Sequence, residues 1–303
     1  MGLALLFPGQ GAQHAQMLPW LDGCPAAAPA LAALAQPLGA DWRTRSQDTA
    51  WLHTNAVAQP LLTGVSLAAW QAVAGALPAP VAIAGYSVGE LAAFAAAGVY
   101  DVPTALDLAA HRARAMDAAA AGHAGGLLSV QGPRAAALAE LAPGLAVAIR
   151  IGPERALVGG PALLLDSAAA AWTAAGLRCT RLPIAVASHT PWMAAAAEAF
   201  AQHLATVALR PPRTAVVCNF TGTASRQLAS LAQALSAQIA ATVRWDECMD
   251  NLAERGARCV LEVGPGATLA AMWRERHPGI PARSADEFRS AQGLVDWVRQ
   301  QLA

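Results

Sequence analysis

Gly85-Tyr86-Ser87-Val88-Gly89 fits the pattern G-x-S-x-G, with the apolar run Val81-Ala82-Ile83-Ala84 before it and a helix-forming stretch after it. A serine on a tight strand-to-helix turn is held in strained backbone with its hydroxyl exposed, and small flanking residues let the chain pass close by. The helix that follows offers free N–H groups and the positive end of its dipole to a developing oxyanion. A hydroxyl becomes a useful nucleophile only when a neighbouring base takes its proton. Seven histidines could serve. His189 stands out, because Ala187-Ser188-His189-Thr190-Pro191 follows the strand-like Pro183–Val186 and opens a loop before a helix, from which an imidazole can reach a cleft. His203, on a polar helix face, and His277, beside Pro278, are placed to meet solvent. Asp166 lies between Ser87 and His189, the chain order of a hydrolase triad, but inside a helix of a separate segment, which argues against it as the third member.

The elements that must position these groups are legible from periodicity. Leu3–Phe7 reads as a short buried strand ending at the loop Pro8-Gly9-Gln10-Gly11-Ala12-Gln13. A helix over about 61–76 precedes the strand at 81–85; helices over about 90–97 and 104–121 follow, the second carrying Arg112 and Arg114. Strands alternating with helices predict an α/β fold with a parallel sheet covered on both faces. Residues 125–188 differ: strand 127–130, helix 134–141, strands 145–150 and 156–158, helix 163–175 and strand 179–182 run in the βαββαβ order of a ferredoxin-like unit. The predicted division is therefore a large domain of residues 1–124 and 189–303, with a small domain of 125–188 inserted. Further strands are expected at 214–218 and 259–263, with helices near 193–204, 228–241 and 248–255.

Composition closes off other chemistries. The 303 residues carry twenty basic and twenty acidic side chains, zero net charge, and 55% hydrophobic residues. Such a chain buries a large core, and without a basic excess it is not expected to bind nucleic acid. Every basic residue is arginine, so lysine Schiff-base and P-loop lysine chemistry are excluded. The five cysteines are scattered, with no CxxC and no Cys/His cluster, which predicts free thiols in a reducing cytosol and no metal site. The apolar N-terminus lacks a basic n-region, and Pro and Gly interrupt the charge-free stretch 55–89, so neither a signal peptide nor a membrane span is expected.

In order along the chain stand Phe7-Pro8-Gly9-Gln10-Gly11-Ala12-Gln13, Gly85-Tyr86-Ser87-Val88-Gly89-Glu90, Arg112, Ser188-His189 and Glu262-Val263-Gly264-Pro265-Gly266. Together they resemble the malonyl-CoA:acyl-carrier-protein transacylases and the acyltransferase domains of fatty-acid and polyketide synthases, over essentially the whole length. The resemblance implies an α/β-hydrolase-like large domain and a ferredoxin-like small domain flanking a cleft. It implies an enzyme, with Ser87 the nucleophile and His189 the general base and acid. The backbone N–H groups of Gln10 and Val88 would form the oxyanion hole, and Arg112 would grip a malonyl carboxylate. The family orients its histidine with a main-chain carbonyl, which by position falls to Arg244. Gln59 matches a family segment and is assigned to packing, as is the Gly264-Pro265-Gly266 turn. No bound cofactor is implied: malonyl-CoA is the donor, and a phosphopantetheine-type thiol on a carrier protein is the acceptor.

Two departures bear on pathway. Most transacylases place His before the serine, where this chain has Tyr86. The small-domain stretch Ile151-Gly152-Pro153-Glu154-Arg155 stands where the family usually has Asn-x-Pro-x-Gln. Gly-Tyr-Ser-Val-Gly-Glu looks most like the malonyltransferase (epsilon) subunit of malonate decarboxylase, which charges a carrier subunit of that complex. The expectation is therefore that subunit, with the transacylase of fatty-acid or polyketide synthesis as the alternative. A serine esterase or thioesterase sharing the elbow, and a non-catalytic scaffold, are the competitors from other classes.

Overall fold

A computed structural model describes residues 2–303. Leu3–Phe7 (β1) is buried at every position and occupies the middle of a six-stranded sheet. Its continuous apolar run, without period-two alternation, is what a strand covered on both faces requires. On one side it pairs in parallel with Ala82–Gly85 (β2), Phe7 opposite Gly85. The chain then builds Gly125–Gln131 (β3), Ala146–Gly152 (β4), Arg155–Pro161 (β5) and Arg178–Arg181 (β6), followed by Val216–Val217 (β7), Ala224–Ser225 (β8), Val243–Arg244 (β9), Cys259–Glu262 (β10) and Ala282–Ser284 (β11). The large sheet has the order β11-β10-β1-β2-β7-β8, parallel throughout except for the β7–β8 pair.

Strands β3 to β6, with the helices Ala135–Glu140 and Ala162–Ala174 between them, form the second sheet in the order β6-β3-β5-β4, the antiparallel arrangement expected of a βαββαβ run. This sheet does not end at its own segment. The two residues of β9 add in parallel to the β4 edge and tie it to the chain that leads into the helix Trp245–Glu254.

Successive residues of β1 serve opposite faces of the large sheet. Leu3, Leu5 and Phe7 pack toward the helices Asn55–Val73, Gly89–Ala96 and Val102–Ala120. Ala4 and Leu6 face a second cluster in which Trp245 and Trp273 meet Leu127, Ile149 and Leu157 of the small sheet, so the two sheets share a core. Each fully buried aliphatic or aromatic side chain there contributes about 1.5–3 kcal/mol. The outer face of the small sheet packs with its own helices.

The helix Asn55–Val73 is long and apolar enough to cross a membrane, yet most of it is buried here as a core helix. It begins before Leu61, where periodicity placed its start. Pro60 reads as a breaker, but it sits inside the helix. Its ring removes one N–H, and Thr63 Oγ1 donates to Gln59 O at 2.9 Å within the same turn. The helices Thr268–Arg276 and Ala291–Leu302 and the strand β11 lie where the pattern gave no element. In the first of these helices, Arg274, Glu275 and Arg276 mask an apolar side made by Leu269, Ala270, Met272 and Trp273.

Candidate active site

β2 ends directly in the turn that carries Ser87, whose φ of 55° lies in the left-handed region that non-glycine residues rarely adopt. The two flanking glycines are there for closeness. A Cβ on Gly85 would overlap the Gly89 backbone, and one on Gly89 would overlap the carbonyl oxygen of Phe7. Tyr86 N–H donates to Phe7 O at 2.9 Å, so β1 holds the turn from the other side.

His189 Nε2 stands 2.7 Å from Ser87 Oγ, across 102 positions of sequence. Its Nδ1 lies 2.5 Å from the carbonyl oxygen of Gln238. That carbonyl can only accept, so Nδ1 carries the proton and Nε2 is left free to take one from the serine. The ring is buried, and burial together with the nearby Arg112 pulls its pKa down to about 3, so it is neutral at ordinary pH. The expected orienting residue, Arg244, is displaced by Gln238. Arg244 lies in β9 with an exposed side chain 3.5 Å from Glu247, and its N–H donates to Asn219 O at 2.9 Å. Gln238 instead caps the helix Leu228–Ala237. Carbonyls at a helix C-terminus lack intrahelical partners and sit at the negative end of the dipole, which suits an imidazole that gains charge. Asp166 lies away from the site, 3.6 Å from Arg181 at the surface. His203 and His277 pair with Asp107 and Asp250.

Arg112 is 2% exposed and comes from the helix Val102–Ala120. Its Nη2 is 3.4 Å from Ser87 Oγ, and its Nη1 donates to Gln59 Oε1 at 2.8 Å. Its Nε–H has no acceptor, and no carboxylate lies within ion-pair distance among the described residues. Burial lowers its pKa to about 10, which leaves it charged at neutral pH. A buried cation without a contacting anion is expensive, so the group is poised for an anionic ligand. Gln59, assigned to packing, proves to be the residue that orients this guanidinium. Arg114, two positions on, is exposed.

Ser87, Arg112 and His189 open onto a cavity of about 220 Å³ between the two sheets, walled on the small-sheet side by Ile149, Leu157 and Arg155. The loop after β1 forms its rim. Gln13 Oε1 accepts the Gly11 N–H at 2.8 Å and shapes that loop, while the N–H groups of Gln10 and Val88 donate to no acceptor among the described residues. The turn at Gly264 packs on Pro8 beneath the loop, where Gly264 has a φ of 149° and a Cβ would come 2.7 Å from the proline ring.

The chain matches the acyl transferase domain over residues 4–299. It belongs to that family. This acyltransferase is 33% identical over 290 residues to a malonyl CoA-acyl carrier protein transacylase of Mycobacterium tuberculosis, covering 93% of this chain and 95% of the relative. Among solved structures, malonyl-CoA:acyl carrier protein transacylase from Xanthomonas oryzae superposes with a TM-score of 0.91 at 29% identity, over 98% of both chains. A malonyl-transacylase in complex with its type II polyketide synthase acyl-carrier protein gives a TM-score of 0.91 at 27% identity, over 98% of this chain and 99% of that one.

Two residues of this candidate site escaped the sequence reading. Asn219, at the end of the strand beside β2, bonds both sides of the elbow; Glu90, fully buried, accepts from Asn219 N–H at 2.6 Å. Burial pushes the Glu90 carboxyl up to about 8. The available signals were the charged residue directly after the elbow in an apolar helix, and the Asn-Phe-Thr-Gly turn after Thr214–Cys218.

Proposed function

We propose that this acyltransferase moves a malonyl group from malonyl-CoA to the thiol of a phosphopantetheine-type arm on an acyl carrier protein, through an O-malonyl serine at Ser87. The observation that carries the reading is the buried, unpaired Arg112 guanidinium within 3.4 Å of Ser87 Oγ. A planar guanidinium with a free Nε–H edge matches a carboxylate in a two-point, charge-assisted pair. An acyl group with a free carboxylate therefore fits, and an unsubstituted fatty acyl group would leave the cation buried and unpaired.

Ser87 gives its proton to His189 Nε2 as Oγ attacks the thioester carbonyl. The tetrahedral oxyanion lies against the N–H groups of Gln10 and Val88, each such donor being worth about 2.7–4 kcal/mol of barrier. Collapse expels the CoA thiolate, which takes the proton from the imidazolium. In the second half, the carrier thiol gives its proton to His189 and its sulfur attacks the ester carbonyl. The C–O bond to Ser87 then breaks, and Oγ recovers the proton. The Gln238 carbonyl holds the ring and supports its transient charge in both halves.

The malonate decarboxylase role expected from Tyr86 gives way to the transacylase. The relatives found at high coverage bear transacylase names, and Tyr86 has a packing reason of its own. Its ring meets Trp245 edge-on, with centroids 5.0 Å apart, and its ring Cδ1 lies where a Cβ on Gly9 would approach to 2.9 Å. Mass spectrometry of the protein mixed with malonyl-CoA tests the proposal. A malonyl adduct on Ser87 that passes to a phosphopantetheine thiol is expected; rapid release of free malonate in the absence of acceptor would make the enzyme a hydrolase.

A further inference from the structure

Ser87, in its left-handed conformation, lies outside the sheet, since β2 ends at Gly85. The groups that bracket the turn are bonded by one side chain. Asn219 Oδ1 accepts the Ser87 N–H at 2.8 Å, and Asn219 Nδ2 donates to the Gly85 carbonyl at 2.6 Å. Asn219 is 0% exposed, and its own backbone is fixed as well: its N–H donates to Glu90 Oε1 at 2.6 Å and its carbonyl accepts from Arg244 N–H at 2.9 Å. Glu90, also 0% exposed, stands in the first turn of the helix that starts at Gly89. The ring is thus closed, from elbow to Asn219 to Glu90 to helix and back to the elbow.

We infer that Asn219 and Glu90 are positioning residues for the nucleophile, holding the Ser87 backbone so that Oγ meets His189 Nε2. The inference rests on the proposed role of Ser87. An asparagine is suited to the task because it offers an acceptor and a donor from one planar group, matching an N–H and a C=O on one turn. Glu90 sets where that amide stands. Neither Asn219 nor Glu90 hydrogen-bonds the Arg112–Gln59 pair, which lies on the helices Val102–Ala120 and Asn55–Val73 and meets the elbow at Ser87 Oγ, 3.4 Å from Arg112 Nη2. Loss of the ring therefore moves the nucleophile and leaves recognition of the acyl carboxylate in place. A displacement of the order of an ångström at a reacting atom lowers rate by about 10²-fold.

The full-length enzyme is tested in two ways, on protein shown to be folded by circular dichroism. One is the rate at which a fluorophosphonate labels Ser87; the other is the affinity for malonyl-CoA in a Ser87→Ala background. Asn219→Ala is expected to slow labelling by about 10²-fold and to leave malonyl-CoA affinity equal to that of Ser87→Ala alone. Glu90→Ala is expected to follow it, and Glu90→Gln to restore labelling, because its amide oxygen still accepts from Asn219 N–H. The Glu90 pair reads the same ring if Asn219→Ala does not fold. Labelling at the wild-type rate in Asn219→Ala or in Glu90→Ala overturns the inference, and so does a parallel loss of malonyl-CoA affinity. A wild-type protein that labels at Ser87 but passes no malonyl group defeats the proposed function alone, since the labelling rates still decide the role of Asn219.

Discussion

The carbonyl oxygen of Gln238 lies 2.5 Å from Nδ1 of His189 and fixes the tautomer that leaves Nε2 free toward Ser87. A main-chain oxygen at a helix end thus takes the place that a carboxylate holds in a hydrolase triad.

The first prediction concerns pH. Burial and Arg112 hold the His189 pKa down at about 3, against about 6.5 for a free imidazole. The base therefore stays unprotonated through mild acid, and kcat/KM for malonyl transfer is expected to show no falling limb near pH 6.5. A profile measured from pH 5 to 8 checks this; a limb at the ordinary histidine value would mean that the ring is solvated.

The acyl preference should follow Arg112 and Gln59. Arg112→Ala is expected to lower kcat/KM for malonyl-CoA by about tenfold to a hundredfold, the range for one charge-assisted contact, while acetyl transfer survives or improves. Gln59→Leu removes the 2.8 Å bond to Nη1 and should give a smaller loss of the same kind. Competition between malonyl-CoA and acetyl-CoA reads the preference directly. Equal losses for both would contradict a carboxylate clamp.

Gly89→Ala is expected to destabilise the fold by about 1–3 kcal/mol, as overpacking does, and to slow labelling of Ser87. The added Cβ would overlap the Phe7 carbonyl oxygen, which is backbone and cannot swing away. Gly75→Ala, where a Cβ meets nothing within 4 Å, is the control and should leave both thermal stability and labelling unchanged.

Stability should also depend on pH through Glu262. Burial pushes its carboxyl up to about 8, from the ordinary 4.5 of a free glutamate. Between those values the folded state keeps a proton that the unfolded chain has released, so stability falls as pH rises through this window, by up to about 1.4 kcal/mol per pH unit. Below the lower value both states are protonated and the contribution is fully present. Glu262→Gln mimics the protonated form, and its amide oxygen can still accept the Ala270 N–H that Oε2 now takes at 2.8 Å. Thermal melts should show little difference from wild type at pH 4.5 and a growing advantage for the variant toward pH 8.

Much of the site was legible because it is local. The elbow is written in adjacent residues: an apolar strand, glycines where backbones nearly touch, and a helix start. The rest depended on how long elements run and where they stop. Pro60 hid the start of its helix, and with it the fact that Gln59 faces Arg112. The histidine's partner was sought at Arg244 because nothing in the sequence marks which orphan carbonyl at a helix end will face a ring 49 positions away. Asn219 showed only as the start of a turn, and its place against the elbow followed once β7 was laid beside β2.

The sequence by itself determined the alternation of elements, the strained serine and the absence of lysine chemistry, since these follow from side-chain type and short-range spacing. Tertiary structure alone decided the 2.7 Å meeting of Ser87 and His189, the unpaired state of Arg112 and the choice of Gln238. Such meetings are set by sheet register and helix packing, where a shift of a single residue changes every partner.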